Sequence, residues 1–214
     1  TFGLLALLAY LQPSLAASDP PARVGRLSLA EGGVLFRTDR QDTGSAAMAN
    51  WPVSSGAILD TERDSRAEAW IGSTAFRLGG SSRLEFAVVD DRQVRLQLAA
   101  GVLAVTVRDR DQADGVDIVT PQGRVRFFEP GRYRIEVLGD RTTVTAQSGM
   151  AEAASGSQVL PVRSGEMATM FDGGRLDMAA APYGDDFDGW VAAQDNREGS
   201  RAARQHVSPN MTGY

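Results

Sequence analysis

The chain has 214 residues, of which 43% are apolar and 23% are charged, and its net charge is −5. A chain of this length and composition buries a sizeable core, which excludes global disorder. A modestly acidic chain has no general attraction for nucleic acid, so we expect no nucleic-acid partner. Cysteine is absent, which excludes disulfides, thiolate metal sites and a cysteine nucleophile.

The first seventeen residues have the pattern of a secretory signal. An uncharged apolar run over residues 4–11 ends near Pro13, and Ser14-Leu15-Ala16 then places small residues at the −3 and −1 positions of a cleavage site. The run is shorter than the ~20 residues that cross a bilayer. The sequence therefore predicts a signal peptide at residues 1–17, without its basic n-region. We expect a periplasmic or otherwise exported product with no stable membrane span.

Between residues 22 and 180 apolar and polar residues alternate, for example over 94–98 and 102–107. This period of two and the abundance of valine are typical of half-buried strands. Glycines recur between the strands at a spacing of 22 or 23 residues, at Gly56, Gly79, Gly101 and Gly123. Such spacing is typical of stacked coils, but it is not kept beyond Gly123, because Gly149 follows 26 residues later. The sequence predicts an all-β domain over residues 22–180, built as an irregular β-solenoid or as two stacked sheets of short strands.

The last part of the chain has the pattern of a helix. Asp185 or Asp186 is suited to cap it, because an aspartate side chain accepts hydrogen bonds from the free amides of a first turn. An apolar stripe follows at i, i+3, i+4 spacing: Phe187, Trp190 and Val191. We predict an amphipathic C-terminal helix over residues 183–205 that docks on the β domain. Residues 206–214 are predicted to be a linker to an absent tail.

Several segments, taken in order, carry a resemblance to a known family. They are Arg-Ala-Glu-Ala at residues 66–69, Ile-Gly-Ser-Thr-Ala-Phe-Arg-Leu-Gly at 71–79, Leu-Gln-Leu-Ala-Ala-Gly-Val-Leu-Ala-Val at 96–105, a strand ending in Thr-Pro at 116–121, and Ser-Gly-Met-Ala-Glu at 148–152. Over about residues 23–170 the chain resembles the FecR-domain proteins. It is similar, more narrowly, to FecR-like envelope proteins of unknown function.

The resemblance implies a β-rich periplasmic domain. In the better-known FecR regulators this domain relays a signal from an outer-membrane iron-siderophore receptor to a cytoplasmic sigma factor. Those regulators carry a cytoplasmic anti-sigma segment and a membrane span, where we predict a cleavable signal in this chain. We therefore expect a non-catalytic binding or scaffold protein of the bacterial cell envelope. A FecR-type regulator of iron-siderophore signalling and a carbohydrate-active β-solenoid enzyme are the alternatives.

No catalytic or metal-binding constellation stands out in the sequence. The single histidine, His206, lies in the predicted linker. The acidic loop over residues 109–115 departs from the spacing of a calcium-binding loop, and Arg110 within it would repel a cation. The acidic residues near position 185 are explained by helix capping. We expect no enzyme activity, no cofactor and no bound metal.

Arginine placement gives the best candidate for a partner-binding surface. Arg124 and Arg126 are two residues apart, as are Arg132 and Arg134, so each pair lies on one face of a strand. If the two strands are neighbours, the four arginines form a basic ladder suited to an envelope protein or an anionic envelope polymer. Cross-strand pairing with glutamates such as Glu136 on a solvated face is the alternative.

Overall fold

The computed structural model describes residues 23–205, with side chains described to residue 200. The predicted signal peptide and linker lie outside the described residues. The strands, in chain order, are β1 (Gly25–Glu31), β2 (Val34–Arg37), β3 (Ser45–Ala46), β4 (Pro52–Val53), β5 (Ile58–Thr61), β6 (Arg66–Ile71), β7 (Thr74–Leu78), β8 (Arg83–Val89), β9 (Val94–Val107), β10 (Val116–Thr120), β11 (Gly123–Phe127), β12 (Gly131–Leu138), β13 (Arg141–Ser148), β14 (Met150–Ser155), β15 (Gln158–Arg163), β16 (Glu166–Phe171) and β17 (Leu176–Ala180). The helices are α1 (Arg110–Ala113) and α2 (Asp186–Gln205).

The strands form two hydrogen-bonded ladders that share one strand. Ladder A has the order β4-β1-β6-β7-β9-β12-β13-β16-β17. Ladder B has the order β3-β2-β5-β8-β9-β10-β11-β14-β15. Within the described residues every pairing is antiparallel except that of β9 with β10, which is parallel. The fold is therefore all-β, with an open sheet that continues from one ladder into the other.

Strand β9 passes from ladder B to ladder A at Gly101. Its first half pairs with β8 and β10, and its second half pairs with β7 and β12. Gly101 has φ +83°, a backbone conformation that glycine adopts far more readily than other residues. A Cβ atom there would lie 2.2 Å from Ser82 Oγ and 2.5 Å from Ser82 Cα. The passage between the ladders therefore requires a glycine.

The two ladders enclose one hydrophobic core. Phe76 of ladder A meets Phe86 of ladder B edge-on, with ring centroids 6.5 Å apart. Phe127 of ladder B lies 4.5 Å from the ring of Tyr133 in ladder A. Burial raises the pKa of Tyr133 to about 12, and its hydroxyl donates a hydrogen bond of 2.7 Å to the backbone carbonyl of Glu129. Of the two predicted arrangements, the structure has two stacked sheets.

Helix α2 follows the predicted cap and stripe. The Asp188 amide donates to Asp185 Oδ1 at 3.0 Å, and the Asp185 amide donates to Asp188 Oδ2 at 3.2 Å. This reciprocal pair satisfies two amides of the first turn. The helix begins at Asp186, three residues later than the predicted start, because residue 185 serves as the cap. In residues 23–205 no helix has both the length and the apolar character that crossing a bilayer demands.

We expect Gly101→Ala to destabilise the fold by about 3 kcal/mol or more, because the new Cβ clashes with Ser82 in addition to straining the backbone. Gly165→Ala is the matched control, since Gly165 has φ +82° and no atom lies within 4 Å of the position that a Cβ would take there. That variant carries the backbone strain alone, about 1–2 kcal/mol. Urea unfolding of both variants checks the difference, and equal losses would contradict the proposed role of Gly101.

Candidate binding surfaces

The structure separates the four predicted arginines into two pairs. Arg124 and Arg126 lie on β11 in ladder B, whereas Arg132 and Arg134 lie on β12 in ladder A. Strand β11 pairs with β10 and β14, and β12 pairs with β9 and β13. The single four-arginine ladder is therefore not formed, because the chain passes from one ladder to the other between the two strands. A role of these arginines in partner binding stays a prediction.

Arg134 binds the C-terminal helix of its own chain. Its Nη1 lies 2.9 Å from Asp185 Oδ2 and 3.0 Å from Asp188 Oδ2. Its Nη2 lies 3.0 Å from Glu136 Oε2. Gln147 Nε2 adds a 2.8 Å hydrogen bond to Asp188 Oδ1. Burial lowers the pKa of Arg134, but the surrounding carboxylates raise it by more, so the guanidinium stays charged. It fixes the start of α2 on the outer face of ladder A.

The first two turns of α2 contact ladder A through a small apolar patch. Phe187 and Val191 are buried against Ala104 of β9. Trp190 stacks on the Phe187 ring with centroids 5.8 Å apart, and the Arg66 guanidinium lies 5.1 Å from the Trp190 centroid. The predicted stripe therefore docks on the β domain. Because the patch is small, polar contacts at the start and in the middle of the helix hold much of the interface.

A second arginine, Arg77, is fully buried beneath the middle of α2. Its Nε donates to Glu68 Oε2 at 2.6 Å. Its Nη1 donates to Asp195 Oδ1 on the helix at 2.9 Å and to Thr106 Oγ1 at 3.0 Å. Asp195 Oδ2 also accepts a 3.2 Å hydrogen bond from the Thr106 hydroxyl. Arg77 thus links β6, β9 and α2 through one charged group.

Glu68 is ionised within this cluster. Burial raises the pKa of Glu68, but hydrogen bonds from Ser28, Trp70 and Arg77 and the charge of Arg77 outweigh burial, so its pKa lies below the usual value. Glu68 and Asp195 are two carboxylates held on one guanidinium. A glycosidase general acid needs a raised pKa so that it is protonated at the start of the reaction. The shift at Glu68 has the opposite sign.

Ladder B presents its outer face without a covering helix in the described part of the chain. Inward residues such as Val125 and Ile118 enter the core, so their neighbours along each strand point outward. The outward charged residues on these strands are Arg37, Arg83, Arg95, Arg124, Arg126 and Arg163, and Asp60, Glu85, Asp117 and Glu152. We call this surface the B face. Its strands carry more arginines than carboxylates, although the whole chain is acidic.

Ion pairs across neighbouring strands organise the B face. Two trios each place one carboxylate between two guanidinium groups: Arg37–Asp60–Arg83 and Arg95–Asp117–Arg124. The pairs with Arg83, Arg95 and Arg124 have N–O distances of 2.5, 3.3 and 3.2 Å. The contact of Arg124 Nε with Asp117 Oδ1 is an ion pair without hydrogen-bond alignment. Each trio carries one positive charge in excess.

Arg126 lies between two carboxylates on the B face. It is in register with Asp117 on one side and with Glu152 on the other. Its side chain is exposed, and in residues 23–200 no carboxylate oxygen lies within 4.0 Å of its guanidinium. The cross-strand pairing that the sequence suggested is thus present in part, and Arg126 retains donors directed to solvent.

The acidic loop over residues 109–115 contains the one-turn helix α1. Asp109 caps it, with Oδ1 accepting a 3.2 Å hydrogen bond from the Asp111 amide. Gln112 Oε1 accepts from the Ser73 amide at 3.0 Å, which ties α1 to the β6–β7 turn. Within the described residues no group of three or more His, Asp or Glu side chains is placed to hold a metal ion. His206 lies outside this part of the chain.

Comparison with known proteins shows likeness at the level of fold. No protein-family model matches this chain, and no curated protein matches it in sequence. The fold is similar to that in two crystal structures, at 2.50 and 1.65 Å resolution, of a "putative anti-sigma factor" from Parabacteroides distasonis ATCC 8503. Each gives a TM-score of 0.50 at 12% identity. The match covers 57% of this chain and 59% of that chain, so it spans little more than half of that protein.

We expect Arg77→Met to lower the free energy of unfolding by about 3–5 kcal/mol, because it leaves the buried Glu68 carboxylate without its cation and removes the nearer of the two arginines that pair with Asp195. Arg83→Met, which removes a half-exposed partner of Asp60, is the control and should lose about 1 kcal/mol or less. The double variant Arg77→Met/Glu68→Met should be more stable than Arg77→Met alone. Urea unfolding measures all three, and a loss near that of the control would contradict the role of Arg77.

The ionised Glu68 also predicts loss of stability in acid. Its folded-state pKa lies below the ordinary value of 4.5, so the unfolded chain binds a proton more readily than the folded chain. This contribution to stability is fully present above pH 4.5 and is lost as the pH falls through the folded-state pKa. Glu68→Gln should be less stable at neutral pH and should lose less on acidification. Urea unfolding at several pH values tests this, and parallel curves for the two proteins would refute it.

Proposed function

We propose that this chain is a non-catalytic binding domain of the bacterial cell envelope, FecR-like in type and exported to the periplasm. It would work by holding a partner against the B face. The observation that supports this proposal best is the difference between the two outer faces of the sheet. Helix α2 covers the centre of ladder A, whereas the arginine-bearing face of ladder B has no cover in the described residues.

The chemistry of the B face favours an anionic partner. Neighbouring strands of a ladder are about 4.8 Å apart, so outward arginines on adjacent strands present several guanidinium forks to one surface. A guanidinium binds carboxylate or phosphate oxygens in a bidentate way that an ammonium group cannot match. Every cationic side chain of this protein is an arginine. An acidic envelope protein or an anionic envelope polymer would meet an excess of donors here.

The likeness in fold to an anti-sigma factor favours a regulatory role as the second candidate. In that role the domain would act as a FecR-type component of iron-siderophore signalling, and its partner on the B face would be another signalling protein. Both candidates require the same surface and differ in the identity of the partner. The carbohydrate-active alternative has no support at the Glu68–Asp195 pair, because both carboxylates are bound to Arg77 and the pKa of Glu68 is lowered.

A photo-crosslinking amino acid at position 97 tests the binding proposal in living cells. Gln97 is exposed, and its neighbours Leu96 and Leu98 point into the core, so its side chain points outward between the two trios and the arginines stay intact. We expect an adduct in the periplasmic fraction. Arg124→Gln/Arg126→Gln should reduce its yield by about tenfold, because binding depends on the exposed guanidinium groups.

Arg141→Gln/Arg175→Gln is the matched control, since it changes net charge equally at exposed positions of ladder A. It should leave the adduct unchanged. No adduct, or equal losses in the two double variants, would contradict the proposal. Mass spectrometry of the adduct separates the candidates: a receptor or sigma-regulating protein supports signalling, and a polymer or another envelope protein supports the scaffold role.

A further inference from the structure

A polar cavity of about 520 Å³ lies between the middle turns of α2 and the outer face of ladder A. It is on the side of the molecule opposite the B face, so a ligand bound there would be independent of the partner-binding function proposed for that face. Cavities of a few hundred Å³ with a small number of convergent polar groups are the usual form of small-molecule sites. The cavity therefore has the dimensions of a binding site.

The floor of the cavity is formed by outward residues of β1 and β6. Glu68 and Trp70 line it from β6, and Ser28 lines it from β1. The floor polar groups are already engaged with one another: Ser28 Oγ donates to Glu68 Oε1 at 2.5 Å, and Trp70 Nε1 donates to the same oxygen at 2.8 Å. Glu68 Oε2 accepts from Arg77. The Arg108 guanidinium lies 4.7 Å from the Trp70 ring centroid, so the floor offers the part of the indole that Arg108 leaves open, beside an ionised carboxylate whose oxygens are both occupied.

The wall of the cavity carries a donor without an acceptor. Gln194 of α2 is only 8% exposed and lines the cavity, and its Nε2 has no hydrogen-bond partner among residues 23–200. Arg77, which binds the floor through Glu68 and the helix through Asp195, likewise has an Nη2 without a partner in that part of the chain. A buried donor left unpaired is unfavourable, so an acceptor at this place is favoured.

Two arginine side chains lie at the rim of the cavity. Arg26 of β1 and Arg197 of α2 both line it, and both are exposed. Arg26 uses Nη1 for a 2.9 Å hydrogen bond to Asn50 Oδ1 and keeps its other donors. Glu198 of α2 also lines the cavity, so the lining holds two carboxylates, Glu68 and Glu198, beside the two arginines. The Gln194 amide and the rim arginines supply the donors that suit an anion, and the two carboxylates favour a single negative charge over a double one.

We propose that this cavity binds a small molecule bearing a carboxylate on a flat apolar body. Gln194 and the rim arginines bind the carboxylate oxygens, and the body lies against the Trp70 ring. Arg77 fixes the floor and the helix wall in one arrangement through its contacts with Glu68 and Asp195. The planar guanidinium group of arginine matches the planar geometry of a carboxylate. We therefore propose a carboxylate ligand and not a simple halide ion.

Benzoate is the probe, and benzamide, which has the same shape without the charge, is its control. The readout is the NMR signal of the Trp70 indole N–H, assigned by its absence in Trp70→Phe. With the full chain we expect benzoate to shift this signal saturably in the millimolar range. Benzamide and inorganic phosphate should each bind at least tenfold more weakly than benzoate.

Two variants with a matched control complete the test. Arg26→Gln/Arg197→Gln should weaken benzoate binding at least tenfold, and Gln194→Met should weaken it severalfold. Arg141→Gln/Arg175→Gln, with the same change in net charge at a distance, should have no effect. The proposal is overturned by no saturable shift at about 50 mM benzoate, by equal binding of benzamide or phosphate, or by an unchanged affinity in Arg26→Gln/Arg197→Gln. The unperturbed remainder of each spectrum reports that a variant is folded.

Discussion

The fold depends on one strand, β9, whose hydrogen bonds are divided between two ladders. It has 14 residues and pairs with four neighbours, two on each side of the passage at Gly101. Neither ladder is complete without it, so the two sheets stack in one relative position and share one core. That constraint also creates two outer faces of different character. The outward residues of ladder B point to solvent in the described part of the chain. The outward residues at the centre of ladder A point toward α2.

The covered face explains why charged residues lie so deep in a protein with an ordinary apolar core. Outward positions of ladder A would be solvated if α2 were undocked, and arginine and glutamate are suited to that environment. Docking the helix buries Arg77 and half-buries Arg134, and each finds carboxylates on the helix itself. Burying an ion pair in this way adds little net stability, but removing one partner of the pair strongly destabilises the fold. The helix therefore has one favoured position on the sheet.

Much of this architecture could be predicted from the sequence, because alternation decides which residues enter the core. The period of two places Val125 inward and Arg124 outward, and the spacing of Phe187 and Val191 gives the docking face of α2. Alternation does not report which strands are neighbours, so the two arginine pairs could not be assigned to separate ladders. The residues around Arg77 also do not show that a helix will cover this arginine. The sequence feature that could have indicated it is the spacing of Asp188 and Asp195. These aspartates are seven residues apart, so both lie on the side of α2 that carries the apolar stripe.

The contact between Arg77 and Asp195 joins residues 118 positions apart in the chain. Its formation requires ladder A to be assembled first, since β6, β7 and β9 supply the surface that the helix meets. Without the docked helix, Arg77 and Glu68 would lie on the outer face of ladder A in contact with water, and docking removes water from both at once. Docking of the C-terminal helix is therefore the contact that desolvates both charges, and loss of that contact would return both to water together.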